Sequence, residues 1–147
     1  MKLFFTGTCV FLSAIFLLSF KSDQQLTATK SDLIGFWIFE NPTDPNMSSH
    51  MKVFSKDGSF YNVSFEKTGT IMTHKGTYKI LDESHYKEKV TDVQFNNFWD
   101  LKNKEFINNY ELSKDKQWLK LSGVVFSKNG TDSLKWSHKY RKVQIPE

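Results

Sequence analysis

Beyond residue 30, no stretch of the chain holds apolar residues at helical spacing for more than about ten positions. The chain reads instead as short β-branched and aromatic runs at 33–40, 50–56, 59–66, 70–81, 85–92, 105–113, 117–127 and 132–143, which predict roughly eight strands. Asp57-Gly58, Thr68-Gly69, Asp82-Glu83, Lys114-Asp115 and Asn129-Gly130 punctuate them at roughly 8–12-residue intervals, the pattern of an all-β sandwich or barrel. Asp-Gly and Asn-Gly are two-residue hairpin signals because both residues tolerate positive φ. The segment 41–49 holds Pro42 and Pro45 and reads as a loop, while 95–103 reads as a strand or as a loop that lays Phe98 and Trp99 over the structure. No internal repeat is present.

The start of the chain reads differently. Met1-Lys2 is a short positive segment, residues 3–20 are almost unbroken apolar and small residues, and polar sequence begins at Lys21. That layout is expected to be a secretory signal peptide over residues 1–22, with a polar leader at 23–30 and the folded domain at 31–147. An uncleaved anchor is the competing reading, since the run approaches the roughly 18 residues of a spanning helix. Cys9, the only cysteine, precedes most of the apolar core, where a lipid acceptor would follow it. With the segment removed no thiol remains, which excludes disulfides, thiolate metal sites and cysteine nucleophiles. The expected location is therefore the periplasm or the cell exterior, with no membrane attachment after cleavage.

The chain carries 20 Lys and Arg against 16 Asp and Glu, and its formal +4 drops to about +2 without Lys2 and Lys21. Arg141 is the only arginine. Bidentate phosphate and base-edge recognition favour arginine, and the lysines alternate with acids, so nucleic acid is not an expected partner.

Hairpin pairing assigns an inner face. A two-residue turn at Asn129-Gly130 pairs Val125 with Leu134, Gly123 with Trp136, Leu121 with His138 and Leu119 with Tyr140. A two-residue turn at Lys114-Asp115 pairs Leu119 with Tyr110 and Leu112 with Gln117. Both give one apolar face, which includes Phe106, Tyr110, Leu119, Leu121, Trp136 and Tyr140, with Glu111, Lys120, Lys135 and Lys139 opposite. Tyr86, Glu88 and Val90 face inward by the same alternation. Around Asp57-Gly58 the two faces are not separable: Phe60 and Val53 share one, and Phe54, Tyr61, Val63 and Phe65 the other.

Leu33-Ile34-Gly35-Phe36-Trp37 opens the first strand with G-x-W, and the last strand ends Trp136-Ser137-His138-Lys139-Tyr140-Arg141. The stretch 52–60, then Gly76-Thr77-Tyr78, then Tyr86-Lys87-Glu88 follow in order between them. Together they resemble a family of exported bacterial proteins of unknown function with lipocalin-like domains, of the calycin type. The resemblance implies a single antiparallel up-and-down barrel of about eight strands, in which Gly35, Trp37 and Arg141 close one end with the arginine across the indole. The chain is shorter than well-known lipocalins and lacks their disulfides, so their ligands do not carry over.

Three polar residues fall on the expected inner face: Glu88, Asn108 and His138. A carboxylate and an imidazole inside an apolar barrel lose water, and desolvated titratable groups cluster at functional sites. They could orient the polar head of a small, largely apolar ligand whose body packs on Tyr78, Tyr86, Tyr110, Trp136 and Tyr140. The same residues could equally satisfy one another in a filled barrel. For Trp37 and Arg141 a structural plug outweighs a ligand contact. No nucleophile elbow occurs, so Glu88 with His138 is the one acid–base pair an enzyme could use. His50, His74, His85 and His138 lack metal-ligand spacing, and the Asn41, Asp44 and Asn46 loop lacks an EF-hand pattern, so no metal or cofactor is expected. The sequons at Asn46, Asn62 and Asn129 matter only in a glycosylating host. The expected function is a non-enzymatic exported binder of a small apolar ligand, entered past 41–49. The alternatives are an interaction module with a filled barrel and an enzyme using Glu88 and His138.

Overall fold

The computed structural model describes residues 30–40, 50–94 and 99–144. Residues 3–20 with Cys9, the 41–49 loop with the Asn46 sequon, and Phe98 lie outside them. One helical turn, α1 (Lys30–Leu33), leads into β1 (Gly35–Phe39), β2 (His50–Phe54), β3 (Ser59–Glu66), β4 (Gly69–Ile80), β5 (His85–Val93), β6 (Glu105–Leu112), β7 (Trp118–Phe126) and β8 (Ser133–Lys142). Each strand pairs antiparallel with the next, and β8 returns to β1 through Phe39–Tyr140 and Trp37–Lys142, so the sheet closes as an up-and-down barrel. Closure leaves no unpaired edge.

The turns are longer than the two-residue hairpins the sequence suggests. At Asn129-Gly130, the Ser127 N–H donates to Asp132 O at 3.0 Å around a loop at 128–131. Opening the turn by one residue on each side keeps the register, so Gly123 still faces Trp136 and Leu119 still faces Tyr140. At Lys114-Asp115, the Ser113 N–H donates to Trp118 O at 3.0 Å and Lys116 takes a φ of 57°. Leu119 there pairs with Leu112 instead of Tyr110, a two-residue shift that leaves the same side chains inside.

At Asp57-Gly58 the shift is odd and decides the face. The Ser55 N–H donates to Ser59 O at 2.9 Å, and Gly58 takes a φ of 92°, which makes a three-residue loop with a left-handed glycine. Phe54 therefore pairs with Phe60, both buried, and Val53 pairs with Tyr61 on the outside. The same parity turns His50 and Lys52 inward.

The half of the barrel nearest α1 is packed solid. Leu33 and Trp37 are completely buried at its end, and the Trp37 indole N–H donates to Leu33 O at 2.7 Å. Phe54, Phe60, Tyr78, Tyr86, Tyr110, Leu119 and Leu121 fill the space above them. The expected Trp37–Arg141 closure is corrected here. Tyr140 points inward, so strand alternation sends Arg141 outward, where its Nε donates to Glu40 Oε1 at 2.7 Å. Lys142, one residue on, points back inward with its ammonium 5.1 Å from the Trp37 ring.

Two glycines allow close approach. A β-carbon on Gly76 would stand 1.9 Å from Lys89 O, a backbone atom that cannot swing away. One on Gly123 would stand 2.2 Å from the Asn108 amide oxygen and 3.1 Å from the Trp136 ring, both side-chain atoms. We expect Gly76→Ala to cost at least about 2 kcal/mol and Gly123→Ala about half that. Urea denaturation of both variants checks the ranking, and equal losses would contradict it.

Candidate functional site

Above the packed half the barrel opens into a cavity of about 360 Å³. Its floor is an ion pair. Lys52 on β2 and Glu88 on β5, 3% and 4% exposed, reach across the interior between strands that are not neighbours. The Lys52 ammonium also lies 4.9 Å from the Phe60 ring and 5.5 Å from the Phe54 ring. Asn108 (2% exposed) and Tyr140 complete the floor. The fully buried Tyr86 hydroxyl lies beneath, against Glu88 and Asn108, with no hydrogen bond of ordinary geometry.

The walls differ from side to side. β5 to β8 and the β5–β6 connection contribute Val90, Trp99, Leu101, Phe106, Val125 and Trp136, whereas β2 to β4 contribute His50, Asn62, Ser64, Thr73 and His74. A register shift between Asn62 and Val63 leaves Thr73 as an extra residue on β4, and this bulge aims both Thr73 and His74 at the cavity. Asn103, at a φ of 63°, anchors the β5–β6 connection by donating to Val90 O at 2.9 Å, which holds Leu101 and Trp99 over the apolar side.

Hydrogen bonding fixes the histidines. The Asn62 amide donates to His74 Nε2 at 2.7 Å. His74 Nδ1 then carries the proton and donates to the Thr73 hydroxyl at 3.2 Å, which donates in turn to Asn62 O at 3.2 Å. The Tyr140 hydroxyl stands 3.1 Å from His50 Nε2 and 3.4 Å from His138 Nδ1, bridging two imidazoles whose ring centres are 5.0 Å apart. Burial is the first cause lowering all three. It brings His50 to about 4, helped by His138 and Lys52, and His74 to about 3, helped by Lys52 and His50. His138 moves down as well, with Lys52 contributing. Burial and then the Glu88 charge push Tyr140 and Tyr86 upward.

The residues anticipated from sequence separate into two layers. Glu88, Asn108, Trp136, His138 and Tyr140 line the cavity. Tyr78, Tyr86 and Tyr110 instead belong to the packed half below it, where the Tyr78 hydroxyl donates to Ser55 O at 3.1 Å and that of Tyr110 to Asp82 O at 3.0 Å. Their backbone partners explain the placement, since those carbonyls belong to turns at the closed end. Glu88 pairs with Lys52, while His138 packs against Phe39, His50, Trp136 and Tyr140. Sequence reading missed His50, Lys52, Asn62 and His74; a glycine-bulged loop at Gly58 was the signal that would have turned β2 and β3 the right way. Among the described residues, no group of three or more His, Cys, Asp or Glu is placed to share a metal ion.

A family model described as a domain of unknown function, DUF4488, matches residues 32–147. The chain belongs to the DUF4488 family. The match spans α1 in part and every strand of the barrel, so the DUF4488 domain contains both the packed half and the cavity. No curated protein matches the chain.

Removing one member of a buried ion pair strands the other charge. We expect Lys52→Met to cost about 3–5 kcal/mol in urea denaturation and Lys52→Met with Glu88→Leu to recover most of it. A double variant no more stable than the single one would contradict this.

The imidazoles set the pH dependence. Their folded values lie below the ordinary 6.5, so the unfolded chain takes up protons first as pH falls. This stability is complete above pH 6.5 and declines toward the folded values of about 4 for His50 and about 3 for His74. The slope is about 1.4 kcal/mol per pH unit for an imidazole kept fully neutral, and less for the more solvated His50. Urea midpoints are expected to fall between pH 6.5 and about 5, before most carboxylates titrate, and to fall less in His74→Gln. A flat profile over that window would count against the buried neutral histidines.

Proposed function

We propose that this DUF4488 chain is an exported, non-catalytic binding protein whose lipocalin-like barrel holds a small, largely apolar ligand. One observation carries the reading: the barrel is packed in its closed half and hollow in the other, with a cavity of about 360 Å³. That lies in the roughly 300–1,000 Å³ range of small-molecule pockets, and the mixture of apolar wall and few polar groups is what such pockets share. Lipocalin-likeness draws support from the G-x-W at Gly35 and Trp37 and from the basic side chain over the indole, here Lys142. Export rests on the apolar run at 3–20. The non-catalytic reading is favoured by Glu88 being engaged by Lys52 instead of by His138.

A second reading, an interaction module working through its outer surface, draws on one apolar row. Ile38, Met51, Val63 and Met72 stand directly opposite one another on the outer face of β1 to β4, with Phe36, Val53 and Tyr61 in the row beside them. The two readings predict different sensitivities. Native mass spectrometry of the purified full chain is expected to show an added small-molecule mass, lost in Val125→Trp, which fills the cavity, and kept in Met51→Lys. A chain recovered only at its own mass, with no thermal shift from a set of apolar small molecules, would overturn the binding reading.

A further inference from the structure

The charges and hydrogen bonds of the cavity point to one class of ligand. Lys52 is the only Lys or Arg side chain among the described residues on the cavity wall, and Glu88 the only carboxylate. They are already paired with each other, and the rings of Phe54, Phe60 and Tyr86 enclose the ammonium at 4.9–5.9 Å. His74 is closed into its ring with Asn62 and Thr73, and a second proton on its Nε2 would face the Asn62 amide donor. The wall therefore offers no free ion.

Besides the polar groups of Ser64, Asn108 and the Asn62–Thr73–His74 ring, it offers a paired donor and acceptor on its other two histidines. The Tyr140 hydroxyl has a single proton, and both contacts are fully used when it donates to one of His50 Nε2 and His138 Nδ1 and accepts from the other. Each neutral imidazole has one N–H and one lone pair. Whichever way the tyrosine proton points, His50 Nδ1 and His138 Nε2 are left as one N–H donor and one lone-pair acceptor. Neither atom has a partner among the described residues, and both rings line the cavity. Reversing the tyrosine proton swaps the two roles, so the pair adapts to either orientation of a donor–acceptor group.

We infer that the cavity takes an uncharged ligand with a donor–acceptor edge, of the carboxamide or lactam kind, seated on His50 and His138 with its apolar body against Trp136, Phe106 and Val125, and that it rejects anions and cations. The inference rests on the reading of this cavity as a binding site. A ligand carboxylate would lose its water against neutral imidazoles and a lysine already committed to Glu88, and a ligand cation would lose its water against a carboxylate already committed to Lys52.

Three probes with one bicyclic body separate the outcomes: naphthamide, naphthoate and naphthylmethylammonium, titrated calorimetrically into the full chain at neutral pH. Naphthamide is expected to bind at least about tenfold more tightly than either ion. Glu88→Gln, which frees Lys52, is expected to narrow the gap for naphthoate; should that variant not fold, His138→Lys, at a half-buried position, supplies the free cation instead. Val125→Trp is expected to abolish naphthamide binding. Naphthoate or the ammonium binding as tightly as naphthamide to the wild-type chain would overturn this inference and leave the binding reading standing. No binding by any of the three would overturn the inference, and together with a native mass spectrum at the chain's own mass it would remove the binding reading as well.

Discussion

The Lys52–Glu88 pair is the strut that divides the interior of the barrel. Two charges at 3% and 4% exposure are each costly to hold away from water, by several kcal/mol, unless the partner stays in place. β2 and β5 are therefore fixed relative to each other across the interior, although no hydrogen-bond ladder joins them. Below the strut the aromatic rings close around the ammonium and pack down to Trp37 and Leu33. Above it no side chain of the described residues fills the axis. An eight-stranded barrel is just wide enough to be filled or to leave one small cavity, and the ion pair divides this one into a filled half and a hollow half.

The same pair sets the electrostatics of the hollow half. A buried lysine close to three imidazoles disfavours their protonation, which adds to desolvation at His50, His74 and His138. The result is a polar wall that carries hydrogen bonds without net charge. The bulge that brings Thr73 beside His74 contributes to this, because Thr73 and Asn62 occupy both nitrogens of that ring. Among the described residues His50 and His138 share the Tyr140 hydroxyl as their one side-chain hydrogen-bond partner and so keep one nitrogen each for other partners.

Strand number, order and most inward positions could be read from the sequence, because an alternating pattern survives any turn error that shifts register by an even number of residues. Leu112, Leu119 and Tyr110 stayed inside although their pairing moved by two. Two kinds of information could not be read that way. Parity at Gly58 depends on whether Asp-Gly makes a two- or a three-residue loop, and both faces of β2 and β3 carry apolar residues, so hydrophobicity does not arbitrate. Depth along the barrel is invisible to alternation: Tyr78, Tyr86 and Tyr110 point inward like Tyr140, yet only Tyr140 reaches the cavity. Arg141 illustrates the opposite case, since inward Tyr140 and outward Arg141 follow from the same alternation, and the motif resemblance overrode it.

A void of about 360 Å³ also needs a physical reason to persist. A dry cavity costs about 24 cal/mol per Å³, so this one, left empty and sealed, would cost on the order of 9 kcal/mol, comparable to the whole net stability of a small domain. Collapse is resisted by the strut below and by polar side chains on β2 to β4, which keep hydrogen-bonding groups available to solvent inside the opening. Water can satisfy those groups, but it gains nothing from Val90, Phe106, Val125 and Trp136 on the opposite wall. A molecule that meets both walls, polar along one edge and apolar elsewhere, releases that water and recovers the packing the barrel gives up in its own sequence. The hollow half is thus stable enough to stay open and unsatisfied enough to be filled.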